Sequence, residues 1–431
     1  MQKFFEVLER TLLPFAGKIG SQRHMAAIRD AFSVIMTPLI IGSLAVLINT
    51  FPFDGYQAFM LSTFGDNWRF PMQMVLNMTL GILSIHVALG LGYHLGKHYK
   101  LDGFVSASMS LIAFMILTPM TEDGGINMGW VGARGLFLAM IVAIVSVEVF
   151  RFIVARGWVI KMPDGVPPAV TQGFIALIPG TIIFLSAGLL TGIIYATTDG
   201  LSASELIYRT LQAPFQQMSN NVFAVALLIF ARGFLWFFGI HGTNVLSGLT
   251  NSMLLPNMEA NIQYFMDGGS ANTAPYIATT TLTDAFVSMG GTGVGLALIF
   301  GVILFSKNKG HRNLSIGATP AGLFNINEPM VFGIPIVLNP VLFIPFLLAP
   351  VVSVFVAWFA ISVGLVPRTV AMIPWNMPIG IGGYLATGGS IRGSILQFVN
   401  LGISILIYLP FIRLNDRVVE KQVLAQQAEE K

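Results

Sequence analysis

Four side chains could do chemistry in places where an apolar chain has little reason to keep them: Glu328, His241, Arg232 and Trp375. Glu328 lies in NINEPMVFGIPIVLNP, residues 325–340, with Asn325 and Asn327 before it and Pro329 immediately after it. Proline removes a backbone donor and disfavours helix at the residue before it, so the carboxylate falls at a break. An acidic side chain at the centre of a membrane helix costs about 2.5–3.5 kcal/mol on insertion scales, so it must face protein or water and have partners. An ionised carboxylate offers two acceptor oxygens that match two hydroxyls on a sugar edge, and the same group can take a proton. The plainer alternative is a helix-break carboxylate bound to backbone or to an arginine.

His241 lies in FFGIHGTNVLSG, between two glycines and three residues before Asn244. Glycine permits close backbone approach, and an imidazole can donate to or accept from a hydroxyl near neutral pH; an interfacial histidine with local partners is the alternative. Arg232, inside LLIFARGFLWFF, is too central to snorkel easily. It either neutralises a carboxylate, Glu328 among them, or contacts a ligand. Trp375 sits between prolines in MIPWNMPIGIGGYLATGGS, where an indole could stack on a sugar face or act as an interfacial aromatic. The remaining polar groups suggest less. His86, His94 and His98 cluster near a span end, and Glu148 with Arg151 has the spacing of an ordinary intrahelical pair. The glycine-rich GGTGVGLAL and GIGGYLATGG lack the Lys-Ser or Lys-Thr of a nucleotide loop and read as helix packing or hairpin tips.

The elements that must position these groups are membrane helices. Of 431 residues, 55% are hydrophobic and 10% charged, whereas a soluble domain is about a quarter charged. The net charge of +3 comes from basic residues in short loops, where they report orientation; no nucleic-acid partner is implied. The absence of cysteine excludes disulfides, thiolate metal sites and any cysteine nucleophile carried by this chain. There is no HExxH, no nucleophile elbow and no paired intramembrane aspartates, which leaves a hydrolase without support. No metal or other cofactor is expected.

A helix needs roughly 20 apolar residues to cross a bilayer core. Runs near 31–51, 72–95, 104–120, 135–153 and 172–196 supply five crossings. Their connections alternate in charge, with Lys97 and Lys100 on one side and Glu122 and Asp123 on the other. The positive-inside rule then puts the N-terminus in the cytoplasm, with 1–30 read as a retained amphipathic segment. Beyond residue 218, clean runs at 222–240, 283–305, 338–362 and 391–412 are separated by long Gly-, Asn-, Thr- and Pro-rich stretches. A basic tail after 415 needs an odd number of crossings here, so one of the broken stretches must also cross, or partly cross and return; if it falls within 241–280, the basic cluster Lys307, Lys309, His311 and Arg312 is cytoplasmic. Irregular backbone at membrane depth survives only when buried in protein or lining a wet cavity, and such breaks are where a binding site is expected.

NINEPMVFGIPIVLNP, FFGIHGTN and PDGVPPAV at 163–170 together resemble the membrane-spanning IIC component of the bacterial sugar phosphotransferase system, lactose/cellobiose/diacetylchitobiose group. The likeness covers essentially the whole chain. It implies an all-α membrane protein with about ten transmembrane helices plus re-entrant hairpins. Residues 31–217 would form a scaffold and dimerisation half, 218–415 a sugar-binding transport half, and 416–431 a cytoplasmic tail. It implies a homodimer in the bacterial cell membrane, with both termini cytoplasmic. A phosphocysteine on a separate IIB protein would phosphorylate the C6 hydroxyl of a bound disaccharide, so phosphotransferase activity would exist only with that partner. By motif position it places Glu328 and His241 nearest the reacting hydroxyl. It adds Asn325 and Asn327 to a binding set that also holds Asn244, Trp375 and Arg232. A β-linked disaccharide of the cellobiose or diacetylchitobiose class is the expected cargo. Residue types alone leave open a proton-coupled transporter with Glu328 as proton carrier, and a passive or sensory sugar-binding protein.

Overall fold

The computed structural model describes residues 22–429, apart from 52–53, 164, 238–240, 335 and 337–338. Most of the expected N-terminal segment, and Asp164 of PDGVPPAV, therefore lie outside the described residues. Six helices are long and apolar enough to cross a membrane: Arg23–Thr50, Asp66–His98, Ala133–Ala155, Val170–Thr197, Val341–Ser362 and Ile391–Glu420. The expected count of about ten is thus reached only if shorter and broken helices also cross.

The first part of the chain holds α1 (Arg23–Thr50), α2 (Leu83–His98), α3 (Gly103–Leu117), α4 (Leu136–Ala155) and α5 (Pro168–Thr197). Local chemistry sets their starts: the Asp102 carboxylate caps α3 by accepting the Val105 N–H at 2.8 Å. Small residues set the packing, with Gly92 and Gly96 of α2 directly against Ser110 and Ser106 of α3. Close backbone approach of this kind replaces the hydrophobic drive that a lipid environment cannot supply. Leu83, Val87, Phe114 and Leu136 are fully buried between the helices. Glu148 does more than form an intrahelical pair. It accepts from Arg151 Nε at 2.9 Å, lies 2.9 Å from His24 and takes the Tyr99 hydroxyl, which joins the ends of α1, α2 and α4.

The second part contains α6 (Val222–Phe237) and α7 (Gly242–Met266), then the broken pair α8 (Thr280–Phe286) and α9 (Gly295–Phe305). It continues with α10 (Lys309–Leu323), α11 (Glu328–Gly333), α12 (Pro340–Ser362), α13 (Ile381–Ala386) and α14 (Ile391–Glu429). The stretch 241–280 holds α7, which is not among the six helices long and apolar enough to cross. Its Gly248 packs on Ile28 near the Glu148 cluster, while Glu259 accepts the Ala133 N–H at 2.9 Å at the other end of the bundle.

Two hairpins come in from opposite ends. The first carries α10 and α11, and its feet rest on neighbouring residues of α14. At one foot Ser306 Oγ and the Lys307 N–H donate to Asp416 at 2.8 and 2.7 Å; at the other Asn339 donates to Asn415 at 3.0 Å. The second spans roughly residues 366–389 and carries α13. It is held near the far end of α7, where Asn261 donates to the Thr369 carbonyl at 2.9 Å and Gly388 lies against Phe265.

Buried amides satisfy the irregular backbone. Gln397 accepts from the Gly380 and Gly383 N–H groups at 2.7 and 2.8 Å and donates to the Ala285 carbonyl at 2.7 Å. Asn400 donates to Phe286, Asn257 to Ala278 and the Tyr408 hydroxyl to Gly293. These partners replace water that hydrocarbon cannot provide.

Candidate functional site

The two hairpins meet at Asn325. Its side-chain oxygen accepts the Gly290 N–H at 2.6 Å, and its amide nitrogen donates to the carbonyls of Trp375 at 2.6 Å and Met377 at 3.3 Å. Asn325 holds φ +62°, a left-handed conformation that asparagine tolerates better than most side chains. The turn before α9 is equally specialised. Gly290, Gly291 and Gly293 all have positive φ, and a Cβ on Gly291 would come within 2.7 Å of Asn327 Cγ. Glycine alone lets this turn lie against the Asn-Ile-Asn segment.

Asn327, at the start of α11, donates to the Thr292 carbonyl at 2.8 Å. The Thr292 hydroxyl lies 3.3 Å from that of Thr243, which accepts from Arg232 Nη2 at 3.3 Å. Arg232, Asn325 and Asn327 are all buried. A polar chain therefore runs from α6 through α7 and the glycine turn to the residue preceding Glu328. Among the described residues, Asp284 on α8 is a charged neighbour of Arg232. Glu328 is the first residue of α11; its side chain, and so the anticipated pairing with Arg232, lies outside the described residues.

His241 caps α7, with Nδ1 accepting the Asn244 N–H at 3.2 Å. A neutral imidazole that accepts at Nδ1 carries its proton on Nε2. Its ring lies 4.5 Å from that of Trp236, centroid to centroid. Asn244 is exposed, and Trp375 is 48% exposed beside the Asn325 clamp. The structure thus joins Asn325, Asn327 and Trp375 through hydrogen bonds, and connects Arg232 to them through two threonines. Sequence reasoning passed over Trp236, Thr243, Thr292 and Asp284. Trp236 and Thr243 lie within five residues of His241, which was a usable signal; Thr292 and Asp284 had none beyond their glycine- and threonine-rich surroundings.

Side chains of the described types suit a polyhydroxylated ligand: imidazole and amides for hydroxyls, and indole for an apolar ring face. Residues 29–350 match the family model described as Phosphotransferase system, EIIC. The chain belongs to that family. It is similar to the cellobiose-specific EIIC component of Geobacillus stearothermophilus, 39% identical over 97% of this chain and 95% of the relative. It is also similar to the lichenan permease IIC component of Bacillus subtilis, 36% identical over 97% of this chain and 94% of the relative. The crystal structure of the transporter ChbC, the IIC component from an N,N'-diacetylchitobiose-specific phosphotransferase system, superposes with a TM-score of 0.91 at 38% identity, covering 98% of this chain and 99% of that one.

The protein is accordingly a multi-pass, sugar-specific IIC permease of the cellobiose/lactose/chitobiose type. IIC components work with a sugar and a IIB partner. In the lactose-specific EIICB component of Staphylococcus epidermidis the two letters stand in one name, and this chain, 30% identical, covers 70% of that protein. The comparisons lend no support to the proton-coupled alternative.

Proposed function

We propose that this IIC protein binds a β-linked disaccharide of the cellobiose or diacetylchitobiose class, carries it across the membrane and presents its C6 hydroxyl to a phosphocysteine on a separate IIB protein. The observation that carries the reading is the junction at Asn325, where both hairpins and the glycine turn close around the start of α11. In this reading Glu328 and His241 hold the reacting hydroxyl, Trp375 stacks on a sugar ring, and Asn244 and Asn327 line the pocket. Asn325 and Arg232 support the binding groups through the hydrogen bonds described above. When the donor arrives, its S–P bond breaks, the O6–P bond forms, and the O6 proton passes to Glu328. The transition state of phosphoryl transfer is loose, so alignment and charge neutralisation do most of the work.

Around this site we place ten crossings, five within 31–217 and five within 218–415, with α3, α6, α7 and the α8–α9 pair adding to the six long helices. The first group forms a dimeric scaffold, the second moves sugar against it, and both termini are cytoplasmic. The loop-charge alternation supports that orientation. The test is calorimetric titration of the purified protein with cellobiose, diacetylchitobiose, lactose and α-linked maltose, followed by mass analysis after phosphorylated IIB is added. Binding of a β-linked disaccharide, but not maltose, and its conversion to a 6-phosphate is the expected result. Preference for maltose, or a bound sugar left unmodified by every IIB tried, would refute it.

A further inference from the structure

α10 is unlike the other long helices. Among the described residues, α5 exposes Leu177, Leu185, Leu189 and Ile193, as a lipid-facing helix should. The exposed side of α10 instead reads Lys309, Arg312, Asn313, Ile316, Gly317 and Pro320. Hydrocarbon does not solvate such a surface, so this side faces water or protein. Over 15 residues, α10 extends about 22 Å at 1.5 Å per residue. It leads from the Asp416 end of the bundle to Asn325 and Glu328, with only Phe324 between its end and Asn325. Gly317, halfway along, has nothing within 4 Å of where a Cβ would stand.

The mouth of this track is cationic. Lys307, Lys309, Arg312, Arg413 and Arg417 are exposed, and none is in an ion pair among the described residues. Of the nearby carboxylates, Asp416 is already engaged by Ser306, the Lys307 N–H and, at 3.8 Å, His311. That network pins the first turn of α10 to α14, which makes the cationic mouth a fixed surface. A positive field of this kind speeds and orients the approach of an acidic protein.

We propose that the exposed side of α10, with its basic mouth, is the docking track of the phosphoryl-donor protein, which meets it with an acidic surface. The inference rests on the phosphotransferase reading above. It gives the donor a route along one side of the hairpin that carries Glu328, and it lets donor contact at Lys309 and Arg312 bear directly on the position of Asn325.

The experiment uses the full chain in lipid nanodiscs with a phosphorylated IIB protein chosen because it supports sugar phosphorylation by the wild type. If no IIB does so, the functional reading fails before this inference is reached. With such a donor, the double variant Lys309→Glu/Arg312→Glu should raise the KM for phospho-IIB about tenfold, leave kcat within about twofold and leave sugar affinity unchanged. Arg156→Glu, at the scaffold's end of the same face, should change none of these. An unchanged KM in the double variant, an equal rise with Arg156→Glu, or a rise that disappears in nanodiscs lacking anionic lipid would overturn the proposal; the last outcome would assign the cations to lipid headgroups. Because the chain has no cysteine, Gly317→Cys gives a single labelling site. Phospho-IIB should protect that thiol from a bulky maleimide, and prior labelling should abolish phosphorylation while sugar binding persists; labelling at the same rate with and without IIB would contradict it.

Discussion

The side-chain amide of Asn325 donates to the main-chain carbonyl of Trp375 at 2.6 Å, although 50 residues separate them. The same amide reaches Met377, and its oxygen takes the Gly290 N–H. One side chain thereby fixes the glycine turn, the start of α11 and the tryptophan turn relative to one another.

Asn325→Asp places a carboxylate at a buried position, keeps an acceptor for Gly290 but loses both donors, leaving the carbonyls of Trp375 and Met377 facing that carboxylate. An unsatisfied buried polar group costs about 1–3 kcal/mol, so sugar affinity should fall about tenfold or more, since about 1.4 kcal/mol is a factor of ten. Asn325→Gly tolerates the positive φ yet has no amide, and should show a similar loss. Calorimetry checks both. If Asn325→Gly binds sugar like the wild type, the clamp has no role in shaping the pocket.

Gly291 combines φ +87° with close approach to Asn327 Cγ and the Asn325 carbonyl. Gly291→Ala meets backbone strain of about 1–3 kcal/mol as well as the steric conflict. A lower unfolding temperature in detergent is expected, together with weaker sugar binding. Unaltered values for both would show that the turn can shift without consequence.

Asp416 anchors one foot of the α10–α11 hairpin through Ser306, Lys307 and His311. Hydrogen bonds to charged groups contribute about 1.5–3 kcal/mol each, so Asp416→Ala should loosen this foot locally. Hydrogen exchange at residues 306–312 should quicken at least tenfold while the α2–α3 pair stays protected. Exchange that quickens everywhere, or nowhere, would argue against a local anchor.

Glu328→Gln preserves shape and removes charge. In the proposed site the carboxylate accepts sugar hydroxyls, and losing charge-assisted hydrogen bonds worth about 1.5–3 kcal/mol should weaken binding by roughly tenfold to a hundredfold. Equilibrium binding of labelled disaccharide decides it, and wild-type affinity in this variant would remove Glu328 from the centre of the account.

Much of this architecture was legible in the chain. Apolar runs placed α3, α4 and α5 within about four residues, whereas α1 starts earlier than its run and α2 well inside its own. Of the glycine-rich stretches, one lies at the break between α8 and α9 and the other in the second hairpin. Glu328 stood out because a carboxylate in an apolar run demands partners. The details of the site were harder to read. Asn325 and Asn327 entered by motif position, but nothing in the sequence shows that their amide nitrogens donate to Trp375, Met377 and Thr292, contacts 35 to 52 residues away that no periodicity encodes. The Arg232–Thr243–Thr292 chain escaped for the same reason: each link is a single hydrogen bond between ordinary residues on different elements.

The central claim is that uptake and phosphorylation at C6 are one process. Its most direct test is uptake of isotope-labelled cellobiose and diacetylchitobiose into proteoliposomes holding this protein, with phosphorylated IIB inside and the chemical form of the internal label determined. The account predicts label recovered as a disaccharide 6-phosphate, and only when phospho-IIB is present. Free disaccharide accumulating without the donor, and collapsing when an uncoupler dissipates the proton gradient, would contradict it and make Glu328 a proton carrier.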